Sequence, residues 1–219
     1  MNILAPSILS ADFCELGKQI EEIEKAGVQY LHVDVMDGIF VPSISFGMPI
    51  VSSVRPRTKM FMDVHMMVTR PERYVEEFIR CGADGVTIHE EACDCVAETL
   101  CRIREAGAQA GLAINPETPV EKLYPYLDKM DMALIMTVHP GFGGQKYIDA
   151  CTEKIQTLRQ VITDKGLDLK LQIDGGVNLD NLTMNLDAGA DVIVAGSAVF
   201  KGNITENTEA FLEKMQEKY

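Results

Sequence analysis

Positive charge is scarce in this sequence. Its 20 lysines and arginines are outnumbered by 33 aspartates and glutamates, for a net charge of −13. Nucleic acid and anionic membrane surfaces would be repelled by such a chain, so neither is expected as its main partner. An anionic small molecule is not excluded, because a local cluster of donors suffices to hold one. Long hydrophobic runs are missing as well, since no stretch approaches the roughly 18 apolar residues of a membrane span. The opening residues, MNILAPSILSADF, carry no basic segment and no cleavage signature. They read as folded protein, and the cytoplasm is the expected compartment. Nothing resembles a linker, a low-complexity tract or a break in composition, so residues 1–219 are expected to form a single domain. Cys-x-x-Cys pairs are also absent. Cys14, Cys81, Cys93, Cys95, Cys101 and Cys151 are scattered, and reduced, packed thiols are expected in place of a zinc site or disulfides.

What is there is alternation. Short β-branched runs at 2–8, 28–35, 59–65, 84–88, 109–114, 131–137, 168–173 and 191–195 read as strands. Helical patterns fall between and after them at 12–26, 46–54, 71–81, 92–106, 119–127, 147–165, 178–188 and 206–217. In the 147–165 segment, Ile148, Cys151, Ile155, Leu158 and Ile162 make an apolar stripe with steps of three and four. Gly27, Gly82, Gly107, Gly166 and Gly189 each stand just past a helical pattern, where a left-handed cap is wanted. Eight such units in this length predict an α/β fold, a (β/α)8 TIM barrel. An open doubly wound sheet would want a Gly-rich turn after its first strand, and the turn here, PSILSAD, has none.

In a barrel the reactive residues belong at the C-terminal ends of the strands. His32 and Asp34 are two apart on the second strand and so leave the same face, beside His65 of the third. Asp174 arrives from the seventh strand, nearly opposite. Two imidazoles and two carboxylates converging there make a candidate divalent-metal site, and this mixed donor set suits zinc, Fe(II), manganese or cobalt. A second constellation is glycine-based: Gly141, Phe142, Gly143 and Gly144 after the sixth strand, Gly175 and Gly176 after the seventh, and Gly196 and Ser197 after the eighth. Loops of this kind let backbone N–H groups approach a phosphate. A lysine-dependent aldolase or decarboxylase is disfavoured, because Lys59 and Lys170 lie near strand starts.

At these residues the sequence closely resembles the ribulose-phosphate 3-epimerases. The matching motifs are APSILSAD (5–12), HVDVMDGIFVP (32–42), DVHMMV (63–68), NPETP (115–119), HPGFGGQ (139–145), DGGV (174–177) and AGSAVF (195–200). The resemblance implies that His32, Asp34, His65 and Asp174 bind one divalent cation per subunit, with zinc the first expectation. It implies that Asp34 and Asp174 are the acid/base pair interconverting ribulose 5-phosphate and xylulose 5-phosphate at C3, with Ser7 and His65 touching the sugar. The glycine loops with Asp174 and Ser197 would complete the sugar-phosphate site. Met36, Met66 and Met136 fall at or beside inward-facing strand ends and are candidates to line a planar intermediate. Ser43 and His139 replace asparagines common in the family, and the sister activity on allulose 6-phosphate is the alternative. Dimers and hexamers are both normal for such proteins, so a homo-oligomer is expected. Asp37 and His89 are open between supporting the metal ligands and anchoring loops.

Overall fold

Parallel strands covered on both faces need apolar residues at nearly every position, and the strand segments supply them. The computed structural model describes residues 2–216. Its strands are β1 (Ile3–Pro6), β2 (Tyr30–Met36), β3 (Phe61–Met67), β4 (Gly85–His89), β5 (Gln109–Ile114), β6 (Met132–Met136), β7 (Lys170–Asp174) and β8 (Val192–Ala195). Every pairing is parallel, in the order β1-β8-β7-β6-β5-β4-β3-β2. A single bridge between Ser7 and His32 joins β1 to β2. The helices are α1 (Leu16–Lys25), α2 (Met48–Val54), α3 (Val75–Arg80), α4 (Val96–Glu105), α5 (Cys151–Asp164), α6 (Leu179–Ala188), α7 (Ser197–Phe200) and α8 (Ile204–Gln216). This is the expected (β/α)8 barrel.

Strand parity sorts the side chains. Leu31, Val33, Val35, Val64, Met66, Ile88, Leu112, Ile135 and Ile173 point outward and are fully or almost fully buried with the inner faces of the helices. Tyr30, Ala5, Met132 and Val192 point inward and plug the barrel below its polar mouth, and Val194 above them borders the mouth beside Asp174. The five joint glycines all have positive φ, from 61° to 108°, so each turn from helix to strand uses a conformation that side chains resist. At α6 the start is fixed too: Asn178 and Asn181 form a reciprocal capping box.

Two expected helices differ in type from the sequence reading. Arg70 adopts φ 56° ahead of Pro71, and the 71–81 pattern divides into a 3-10 turn (Pro71–Arg73) and α3. The 119–127 segment is 3-10 throughout Val120–Tyr126, with Pro125 inside it removing a backbone donor. The four-residue α7 was not foreseen. The last residue of the expected 206–217 helix lies outside the described residues.

Candidate active site

The mouth of the barrel is a cavity of about 310 Å³ bordered by Ser7, Asp34, Asp174, the three glycine loops and three methionines. Residues two apart on a strand share a face, so His32 and Asp34 on β2 and Asp63 and His65 on β3 all point inward. The β2–β3 register sets Asp34 directly beside His65. From the other wall, β7 delivers Asp174. One ligand atom from each of His32, Asp34, His65 and Asp174 can be chosen so that all four lie within 4.8 Å of one another. Nδ1 of His65 is 3.2 Å from Oδ1 of Asp34 and 3.4 Å from Oδ2 of Asp174. Nε2 of His32 is 3.2 Å and 3.7 Å from the same two oxygens.

Each ring is held from behind. Asp63 Oδ2 accepts from Nδ1 of His32 at 2.7 Å and from the Gln172 amide at 2.6 Å, which turns Nε2 of His32 into the cluster. On the other carboxylate oxygen of Asp34, Oδ2, the Ser7 hydroxyl donates at 2.5 Å. Oδ1 of Asp34 therefore faces the imidazoles while Oδ2 is engaged at the cavity side.

Charge fits this donor set to a cation. Burial opposes charge on both imidazoles, yet the carboxylates of Asp34 and Asp63 outweigh it at His32 and those of Asp174 and Asp34 at His65, so both histidines are raised. Burial also opposes ionisation of Asp34, but the two imidazoles hold it far below the usual carboxylate range. The cluster draws in positive charge, which a divalent cation would supply without protonating its ligands. His89 behaves oppositely. Burial, with His65 adding to it and only partly offset by Glu91, lowers it to about 4 and keeps the ring neutral.

The glycine loops meet at the other end of the cavity. N–H groups of Gly143, Gly144, Gly176, Gly196 and Ser197 donate to no acceptor among the described residues, as an anion cradle requires. Gly176 has φ 68°, and a Cβ there would stand 2.4 Å from the backbone nitrogen of Tyr147; only glycine lets the two chains pass. Phe142 is 59% exposed at the rim.

Several placements depart from the sequence reading. Met36 and Met136 border the cavity, but Met66 does not. It follows the inward-pointing His65 by one residue and so packs outward in the core, while Met67, two residues on, lines the cavity. The same parity rule would have found Met67 and the supporting Asp63. Asp37 is a loop anchor, accepting from the N–H groups of Ile39, Phe40 and Thr69. His89 contacts a candidate ligand, His65. His139 points away from the cavity and pairs with Glu117 at 3.0 Å. Ser45, which caps the end of β2 through the Met36 N–H and the Asp34 carbonyl, carried no sequence signal.

Residues 3–200 match the model of the ribulose-phosphate 3 epimerase family. The chain belongs to that family. It is an enzyme of the carbohydrate isomerases. A ribulose-phosphate 3-epimerase of Synechocystis is 50% identical over 200 residues, covering 90% of this chain and 87% of that one. A Bacillus subtilis protein of the same name is 46% identical, covering 90% and 91%. Among solved structures, 3-hexulose-6-phosphate synthase superposes with a TM-score of 0.69 at 15% identity, over 97% of each chain. That distant likeness speaks for the fold alone.

Proposed function

We propose that this family member interconverts D-ribulose 5-phosphate and D-xylulose 5-phosphate by proton transfer at C3. The observation that carries the reading is the pair of carboxylates, Asp34 and Asp174, brought to one cavity from opposite walls with a cradle of unpaired backbone N–H groups at its far end. Inverting C3 means taking its hydrogen from one face and returning one to the other, which two carboxyl groups can do when one starts ionised and the other protonated. Asp34 is held ionised by His32 and His65, and it serves as the base that receives the C3 proton from its side. Asp174, on the other wall, gives a proton to C3 from the opposite side, and the roles exchange in the reverse direction. Ser7 orients the Oδ2 atom of Asp34 and borders the sugar. Met36, Met67 and Met136 exclude water from the planar enediolate with polarizable, uncharged surface. Gly143, Gly144, Gly175, Gly176, Gly196 and Ser197 hold the phosphate and fix the distance from it to C3.

His32, Asp34, His65 and Asp174 would hold a divalent cation, zinc being a good match to the donors. Such an ion, when bound, supplies Lewis-acid stabilisation to negative charge developing on the substrate's oxygens. The test joins elemental analysis with NMR. Ribulose 5-phosphate in D2O should yield xylulose 5-phosphate deuterated at C3, chelator treatment should abolish the reaction, and a divalent cation should restore it. Full activity in protein shown to be stripped of metal would overturn the cation reading. Absence of C3 exchange in metal-loaded protein would overturn the reaction.

A further inference from the structure

A chain of hydrogen bonds leaves the cluster on its β4 side. His65 spends Nδ1 on the gap between Asp34 and Asp174, so its other nitrogen faces away. That Nε2 lies 2.8 Å from Nε2 of His89, with the ring centroids 5.0 Å apart and the ring planes 21° from parallel. Nδ1 of His89 is 3.2 Å from Oε2 of Glu91. Oε1 of Glu91 accepts from the Asn115 N–H at 2.7 Å and from the Thr118 hydroxyl. Both imidazoles are wholly buried, and Phe40 lies against His89 with ring centroids 4.9 Å apart.

Proton placement follows from the links. An ionised carboxylate only accepts, so His89 carries its hydrogen on Nδ1. In a neutral ring Nε2 is then a bare acceptor, which requires the hydrogen of His65 to sit on its own Nε2. With a cation bound, Nδ1 of His65 is left as a lone pair aimed between the two aspartates; in the metal-free protein the same nitrogen carries a second hydrogen, which faces their oxygens. We infer that His89 and Glu91 are positioning residues for the cation site, holding the His65 ring in place and its Nδ1 lone pair free through this relay. The inference rests on the reading that the four-residue cluster holds a divalent cation. His32 has a carboxylate directly behind it, but a carboxylate in contact with His65 would add a fourth negative group to Asp34, Asp63 and Asp174. Interposing His89 moves that charge one ring outward, to a side chain 20% exposed, where water and the 115–118 loop stabilise it.

Site-resolved ¹⁵N histidine NMR tests the relay without activity. His89 should carry hydrogen on Nδ1 and none on Nε2, and His65 should carry it on Nε2, in zinc-free and zinc-loaded protein alike. Zinc affinity, read by competition with a chromophoric chelator, should fall about 10- to 100-fold in Glu91→Gln. An amide cannot accept on both of its ends, so that variant must release His89 or the loop. Glu91→Asp should recover part of the affinity. Thr118→Val removes only the loop side and should leave zinc affinity within about twofold of the parent, since the Oε2 link to His89 remains. Hydrogen found on Nε2 of His89 in the parent protein would overturn the relay. So would unchanged zinc affinity in folded Glu91→Gln, or an equal loss in Thr118→Val, which would reduce Glu91 to a loop anchor. A parent protein that takes up no zinc would instead refute the cation reading, and the nitrogen shifts of the metal-free protein would still decide the hydrogen placement.

Discussion

At the scale of single residues, the site is a set of inward positions whose partners decide what each one does. His32, Asp34, His65 and Asp174 could be read from the sequence because each stands at a strand's C-terminal end and parity gives its face. Asp63 and Gln172 share those faces one layer deeper, but a buried polar residue in a strand gives no sign of its partner until the register is known. Glu91 was the least legible, lying beyond β4 in a short 3-10 turn (Glu90–Ala92). Its carboxyl is held at about 2: burial alone would raise it, but hydrogen bonds from His89, the Asn115 N–H and Thr118 outweigh burial. Because the ordinary value is 4.5, the unfolded chain binds this proton first as the pH falls. The stabilisation is therefore complete above about pH 4.5 and drains away toward pH 2. Urea midpoints measured between about pH 4.5 and pH 3 should fall less steeply in Glu91→Gln than in the parent. Parallel slopes would mean that the folded protein leaves Glu91 with an ordinary carboxyl.

Elements repeat the lesson on a larger period. All eight strands were legible because a run buried on both faces is apolar and β-branched whichever neighbour it pairs with. The helix-ending glycines were legible because a positive φ is costly for other residues. What escaped was short or broken: α7 has too few residues to show a helical period, and at prolines one helical pattern gained a leading 3-10 turn while another became 3-10 throughout. The β3 methionines show how much a single step matters. Met66 faces the helices and Met67 the cavity, so truncating each should damage a different property. Met66→Ala should cost about 2–5 kcal/mol of stability while the folded protein keeps near-parental kcat/KM. Met67→Ala should lower kcat/KM about tenfold, which corresponds to about 1.4 kcal/mol of transition-state stabilisation. Denaturation curves and steady-state kinetics on the two variants separate these effects, and a reversed pattern would put β3 one residue out of register.

On the scale of the whole molecule, the barrel brings two carboxylates to one cavity from different walls. Around the barrel, through the Ser7–His32 bridge, β1 and β8 lie between β2 and β7, so Asp34 and Asp174 come from different walls, yet Nδ1 of His65 lies within 3.4 Å of both. Each carboxylate lies against that ring from its own wall, and the strand pairing around the barrel keeps the walls from sliding. Under the proposed function this arrangement gives two bases, one for each face of C3. The group that returns a proton to C3 then differs from the one that accepted it. Product formed in D2O should carry deuterium at C3 from the first turnover, with little return of the substrate's own hydrogen. A single base moving under the intermediate would return that hydrogen in a sizeable share of events. Asp174→Asn sharpens the distinction, with metal occupancy verified by elemental analysis. Net epimerisation should fall at least about 10³-fold, while the C3 hydrogen of one epimer, the one presented to Asp34, should still wash out into solvent. Loss of exchange from both epimers in the metal-loaded variant would overturn the assignment of one carboxylate to each face.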